Sequence, residues 1–225
     1  RDTPSFPTRR SSNLGGIGIT CFDGMFKLSN SWTGSVGLSI PTGSIDEKVT
    51  MTMAGTNILN GNPMMVTNGP MQAPYMMQLG SGTYDFIPSV TYQKGSGNWN
   101  WGGQASYTYH IGENDNDYTV GDILEINGYG KYSVNKGLSL SGRLEVLDWG
   151  KIDGQDPLIN PMMSPAGDPN ATGGTRADFL VGISGHFAGA HMISAEVGVP
   201  IFQDLNGPQL ETDLIYSIGY QYMMM

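Results

Sequence analysis

The chain has 225 residues, a formal net charge of -9, 33 glycines, 14 methionines, a single cysteine and only 14% charged residues. It has no basic stripe for nucleic acid, the lone Cys21 excludes an internal disulfide or a cysteine-built zinc site, and no apolar run reaches the roughly 18 residues of a transmembrane helix. An apolar fraction of 39% is low for a soluble domain of this length, yet it suffices for a barrel that turns its apolar side chains to lipid and its polar ones to a wet lumen.

Asp2 to Leu14, D-T-P-S-F-P-T-R-R-S-S-N-L, resembles a sequencing-adapter oligonucleotide translated in frame, S-F-P-T-R-R-S-S-D-L, with Asn13 in place of aspartate. Residues 1–14 are therefore set apart from fold reasoning. The remaining chain, 15–225, is expected to lack its true N-terminus and secretory signal. From Gly16 to Leu28 a first strand is predicted, with Ile17, Ile19 and Cys21 in phase before Asp23-Gly24 interrupts. After a turn at Ser29 to Trp32, Val36, Leu38 and Ile40 alternate with Ser35, Gly37 and Ser39. Pro41 closes that strand because proline cannot donate to a ladder. Ser44 to Gly82 reads as a long loop rich in Met, Asn, Gly and Pro, without sustained periodicity and of a length that usually carries function.

Thr83 to Gln93 sets Tyr84, Phe86, Pro88, Val90 and Tyr92 against Asp85, Ser89, Thr91 and Gln93, and Lys94 to Gly97 is a tight turn. Asn98 to Ile111 sorts most cleanly: Trp99, Trp101, Gly103, Ala105, Tyr107, Tyr109 and Ile111 on one face, Asn98, Asn100, Gly102, Gln104, Ser106, Thr108 and His110 on the other. Its length fits a strand crossing a bilayer at a tilt, which takes about 9 to 11 residues plus interfacial ends. Rings at both ends of its apolar face, with small residues between, suit the two membrane–water interfaces.

Beyond the polar loop Gly112 to Tyr118, Thr119 to Val134 places Leu124, Ile126, Tyr132 and Val134 outward, and Glu125, Asn127, Tyr129, Lys131 and Ser133 inward. After the turn Asn135 to Gly137, Leu138, Leu140, Leu144 and Val146 oppose Ser139, Ser141, Arg143 and Glu145. A second long loop, Gly150 to Thr175, precedes a strand with Ala177, Phe179, Val181, Ile183 and Phe187 opposite Asp178, Ser184 and His186. Past the turn Ala188 to Ala190, Ile193, Ala195, Val197, Val199 and Ile201 oppose Ser194 and Glu196. A loop over Phe202 to Gln209 leads to the last strand, with Leu214, Tyr216, Ile218, Tyr220 and Tyr222 opposite Asp213, Ser217, Gly219 and Gln221.

The nine strands are joined alternately by short and long connections, which a soluble sandwich has no reason to do. An outer-membrane barrel does it because short turns face the periplasm and long loops the outside. The predicted fold is therefore all-β, an antiparallel up-and-down transmembrane β-barrel with outer loops at 44–82 and 150–175. Bacterial single-chain barrels close with even strand numbers, so about 9 to 10 strands are present of an expected 10 to 12 or more. Tyr92, Trp99, Tyr132, Phe187 and Tyr222 are predicted at one level as a periplasmic aromatic girdle, to which Trp101, Tyr107, Tyr109 and Tyr220 add further interfacial rings.

Three stretches carry a family resemblance: Leu38 to Asp46, L-S-I-P-T-G-S-I-D; Met77 to Asp85, M-Q-L-G-S-G-T-Y-D; and Asp204 to Glu211, D-L-N-G-P-Q-L-E. They are similar to a family of outer-membrane transporters related to the meta-pathway phenol-degradation proteins, over most of the chain from about Gly34. The resemblance implies an outer-membrane location in a Gram-negative bacterium, the lipid bilayer as partner, and passive passage of small solutes, aromatic or hydrophobic compounds among them. Family members tend to end on an aromatic residue, whereas here Met223 to Met225 follow Tyr222.

Asp85, Gln104, Glu125, Lys131, Arg143, Glu145, Asp178, His186 and Glu196 are the candidate pore lining. They would either select permeants or brace a narrow barrel by ion pairs. Met51, Met53, Met64, Met65, Met71, Met76 and Met77 crowd the first long loop, and Met162 and Met163 the second. Thioethers there suit Cu(I) or silver, or an adaptable apolar surface that captures a solute. No resident cofactor is implied. A hydrolase built on His110 or His186 with Ser106, Ser139, Ser141 or Ser184 lacks a G-x-S-x-G or other nucleophile context, so no enzymatic activity is expected. Glu113, Asp115 and Asp117 read as a solvated acidic loop rather than a Ca²⁺ loop, since the EF-hand glycine and terminal glutamate are absent. A structural or adhesive surface barrel is the third class.

Overall fold

Side chains of a strand point alternately to two faces, and this sequence uses that rule to put nearly all its large apolar groups on one of them. The computed structural model describes residues 20–56, 63–162, 165–187 and 190–222, with the backbone alone for Thr20 and 51–68. The predictions for residues 1–19, Met163, Ala188-Gly189 and Met223 to Met225 lie outside the described residues. Among the described residues there are thirteen strands: β1 (Thr20–Lys27), β2 (Trp32–Ile40), β3 (Lys48–Thr56), β4 (Pro63–Gln72), β5 (Tyr84–Ser96), β6 (Trp99–Ile111), β7 (Tyr118–Thr119), β8 (Ile123–Ser133), β9 (Leu138–Trp149), β10 (Asp153–Gly154), β11 (Gly174–Phe187), β12 (His191–Leu205) and β13 (Ile215–Tyr222).

Nine of them build one antiparallel sheet in the order β1-β2-β5-β6-β8-β9-β11-β12-β13. With the insertions β3, β4, β7 and β10 set aside, every strand neighbours the next in the chain, the up-and-down order expected above. These nine correspond to the nine predicted strands, with shifted ends. β5 runs on to Ser96, and the turn is the two residues Gly97-Asn98, with Gly97 at φ +59. A glycine first in the turn is what a tight hairpin matched to strand twist requires. β8 starts at Ile123 rather than Thr119, because Tyr118 and Thr119 pair with Gly154 and Asp153 instead. β12 continues to Leu205, through part of the stretch predicted as a loop, and carries a bulge near Ala177/Asp178 of its partner.

The first long loop holds an unpredicted hairpin, β3 with β4, whose register pairs Met53 with Val66, Ala54 with Met65 and Gly55 with Met64. Its cue was present in Val49, Met51 and Met53 alternating with Thr50 and Thr52.

Burial in the nine-stranded sheet is inverted relative to a soluble protein. Trp99 is 57% exposed, Leu144 52% and Ile201 61%, while Asp178 is 1% and Glu145 3% exposed. The exposed apolar residues recur on all nine strands, far beyond the few hundred Å² that a water-soluble monomer usually shows. Among the described residues, the one cluster with the character of a soluble core, Tyr75, Tyr118 and Ile159 with Val120 and Ile152 against them, lies among the loops at the long-loop end.

Candidate pore and its cap

The polar face of the sheet is a set of slanted rows fixed by register. In one row Gln104 faces Asn127, Asn127 faces Glu145, and Glu145 faces Asp178. In the next, Tyr129 faces Arg143 and Arg143 faces Leu180; in a third, Lys131 faces Ser141, Ser141 faces Gly182, and Gly182 faces Glu196. Charges of opposite sign meet across these rows. Arg143 Nη2 donates to Glu196 Oε2 at 2.7 Å and lies 3.7 Å from Glu145 Oε2. Arg176 Nε donates to Asp178 Oδ2 at 3.0 Å and its Nη1 to Thr212 Oγ1 at 2.8 Å. Removing either guanidinium would leave a buried carboxylate unpaired, the expensive half of a buried ion pair. Asp178 Oδ1 and Arg143 Nε are buried without a hydrogen-bond partner.

Leu147 and Leu180 share the polar face with the charged rows and are almost fully buried. Two glycines let side chains there lie along the wall instead of across the lumen. A Cβ on Gly198 would come 2.5 Å from Leu180 Cγ, and one on Gly182 would come 2.6 Å from Ser141 Oγ and 2.9 Å from Glu196 Cγ.

Toward the long loops, Asp85 is buried and accepts from Thr83 Oγ1 at 3.0 Å and Ser81 Oγ at 3.3 Å. His110 stands between two carboxylates, its Nε2 3.9 Å from Asp85 and its Nδ1 3.6 Å from Asp122. Those distances exceed a hydrogen bond, and Nδ1 has no hydrogen-bond partner. Glu125 Oε1 accepts weakly from Asn127 Nδ2 at 3.4 Å. His186 is exposed at the short-turn end, away from the charged rows. Arg176 and His110 also stand on the polar face, outside the predicted lining: Arg176 adjoins the loop predicted at 150–175, and alternation already puts His110 on the polar face of its strand, where it is weighed for catalysis.

The long loops tie one another into a cap. Asn114 Nδ2 donates to Ser81 O at 2.9 Å, Asn116 Nδ2 donates to Asp46 Oδ1 at 3.1 Å, and the Asp156 N–H donates to Tyr75 Oη at 3.1 Å. Asn114 Oδ1 accepts from the N–H groups of Asn116 and Tyr118, so the acidic loop is held by an asparagine turn. The Tyr75 and Tyr118 rings meet edge-on at 4.8 Å. Burial raises both phenols, Tyr118 up to about 12. Between the cap and the sheet lies a cavity of about 220 Å³ lined by Met76, Trp149, Arg176, Leu205, Leu210 and Glu211, among others. Thr212 closes one side through a reciprocal pair with Gln203, at 2.9 and 3.0 Å.

The outward rings fall into two groups. At the short-turn end Trp32 lies tilted against Tyr92 at 5.0 Å, Tyr92 against Trp101 at 5.5 Å, Trp99 against Tyr132 at 5.0 Å, and His191 joins Phe187, Tyr220 and Tyr222. Tyr107 and Tyr109 sit at the other end of β6, where Tyr107 Oη donates to Asp122 at 2.8 Å. Of the predicted methionine set, Met76 and Met77 are exposed on a short 3-10 turn, Met71 is half-buried at the end of β4, and Met51, Met53, Met64 and Met65 are described by backbone only.

No protein-family model and no curated protein sequence matches the chain. Among solved structures, the COG4313 outer membrane channel from Pseudomonas putida F1 is similar with a TM-score of 0.52 at 15% identity, over 91% of this chain and 81% of that one. OmpT of Vibrio cholerae, an outer membrane protein, matches in its loop L8 deletion form with a TM-score of 0.41 at 12% identity, over 90% of this chain and 62% of that one. The fold shared with the first of these is the antiparallel β-barrel of outer-membrane proteins.

Proposed function

We propose that this chain is an outer-membrane channel of a Gram-negative bacterium that passes small solutes passively through its lumen, with the long-loop end outside the cell and the short turns in the periplasm. The observation that carries it is the inverted wall: a continuous apolar surface around rows of buried, oppositely charged side chains. A bilayer is the solvent that such a surface requires, and the charged rows give a lumen in which permeants are sorted by size and charge. The cap of long loops over the mouth supplies a gate. Kinship with the transporter family suggested by the three motifs is part of the same proposal, and the outer membrane channel that shares the fold supports it. The reading includes no catalysis. The test is reconstitution of the purified chain into planar bilayers. Discrete conductance steps are expected, and a protein that inserts without ever conducting would return the chain to the structural or adhesive class.

A second reading has one observation in its favour, the exposed thioethers of Met76 and Met77 at the mouth, with Met76 on the cavity wall. It makes the cap a contact site for Cu(I) or silver. Unchanged melting and tryptophan fluorescence on adding Cu(I) under reducing conditions would remove it.

A further inference from the structure

Charge is distributed along the axis of this protein with a consistent sign. The four long connections, 41–83, 112–122, 150–173 and 206–214, contain eleven acidic residues against Lys48 and Lys151. At the opposite end the turns and their flanks carry Lys27, Lys94 and Lys136 and no acid. Within the wall, Asp85, Glu125, Glu145, Asp178 and Glu196 outnumber Lys131, Arg143 and Arg176. Both arginines face carboxylates at ion-pair distance: Arg143 has Glu196 and Glu145, and Arg176 has Asp178. Neither offers a net positive site to an anion.

We infer that this pore selects cations, inorganic monovalent ions and compact organic ammonium ions alike, gathering them at an acidic mouth and passing them along a wall whose carboxylates outnumber its basic groups. The inference rests on the channel reading above. Its second support is independent of the acidic mouth: the polar face itself has an excess of carboxylates, and Asp178, 1% exposed, is answered by Arg176 at Oδ2 alone while its Oδ1 has no hydrogen-bond partner. Glu145, 3% exposed, stands opposite it in register. Both carboxylates are out of reach of a permeant, so they act on it through their field, which low-dielectric surroundings screen little. The unmatched Arg143 Nε is the corresponding donor, but it belongs to a guanidinium already facing two carboxylates. At the mouth, Glu211 and Trp149 line the same cavity as Arg176, whose charge Asp178 already answers, which leaves Glu211 and the indole for an organic cation. A funnel of one sign with low-dielectric walls raises the local concentration of counter-ions.

The full chain in planar bilayers tests this under a tenfold KCl gradient, followed by replacement of K⁺ with tetramethylammonium. A reversal potential of the sign set by K⁺ is expected, together with current–voltage curves that rectify, since cations accumulate on the loop side. Glu113, Asp115 and Asp117 are exposed, so the E113Q/D115N/D117N variant removes mouth charge without disturbing packing. It should lower conductance roughly two- to threefold at 0.1 M KCl and leave it unchanged at 1 M, where the screening length falls to about 3 Å. D178N should move the reversal potential toward zero, because Arg176 then lacks its counter-charge. Open channels with a zero or chloride-directed reversal potential would overturn the inference while leaving the channel intact. A mouth variant whose conductance is unchanged at both salts would also overturn it. A protein with no steps at all overturns the channel reading, and selectivity falls with it.

Discussion

Arg143 shows how a single side chain can hold the wall together. Its guanidinium answers Glu196 at 2.7 Å and Glu145 at 3.7 Å, and Glu145 is 3% exposed. Arg143→Met keeps the apolar stem but leaves a buried carboxylate without its partner, which costs on the order of 3 kcal/mol; the urea midpoint of the refolded protein should fall accordingly, and channels that form should become more cation-selective. Gly198 makes the complementary point about space. A Cβ there lies 2.5 Å from Leu180 Cγ and 2.7 Å from the Phe179 carbonyl oxygen, so rotating Leu180 alone cannot relieve the clash. Gly198→Ala is expected to destabilise by about 1–3 kcal/mol and, in bilayers, to alter unitary conductance as Leu180 leaves the wall. The charged residues of these rows were legible from alternation alone. Their pairing was not, because register depends on where turns fall, and one turn sits at Gly97-Asn98 rather than over Lys94 to Gly97.

At the scale of elements, the cap and the strands obey different chemistry. The strands were readable because a wall between lipid and water punishes every residue on the wrong face, which keeps the period of two intact over long stretches. The cap was not, because it is built from amide and backbone hydrogen bonds between segments far apart in sequence, such as Asn114 to Ser81 and Asn116 to Asp46. Composition marked those segments only as loops. Two predictions belong here. Tyr75→Phe removes the acceptor of the buried Asp156 N–H at 3.1 Å, a loss of roughly 1–3 kcal/mol; faster amide exchange at Asp156 and earlier proteolysis within 150–173 are expected while the strands stay protected. Tyr118 has its phenol pushed up to about 12 by burial. A group whose folded pKa is raised stabilises fully below its unfolded value near 10 and loses that contribution as pH rises through the folded value. The cap should therefore loosen between about pH 10 and 12, which absorbance near 295 nm follows, and Tyr118→Phe should remove that transition.

For the whole molecule, the inverted distribution of apolar surface fixes where each tryptophan resides. Trp32, Trp99 and Trp101 are exposed on the apolar face near the short turns, while Trp149 lines the cavity under the cap. In vesicles containing lipids brominated near the headgroup, fluorescence of a variant keeping only Trp99 and Trp101 should be strongly quenched and that of one keeping only Trp149 barely so; equal quenching would contradict the membrane placement. The connectivity of the sheet carries one more consequence. Four of its eight strand pairs close over connections of only a few residues, β1 with β2, β5 with β6, β8 with β9, and β11 with β12, so contact order within each hairpin is low and each can form before the next is needed. Only the closure of β2 on β5 must wait for a segment of more than forty residues, 41–83, to fold around its own hairpin. Biogenesis of this wall should thus proceed by adding hairpins at the lipid surface, with its slowest step at the β2–β5 seam. Shortening the β3–β4 insertion should accelerate assembly without changing the finished sheet.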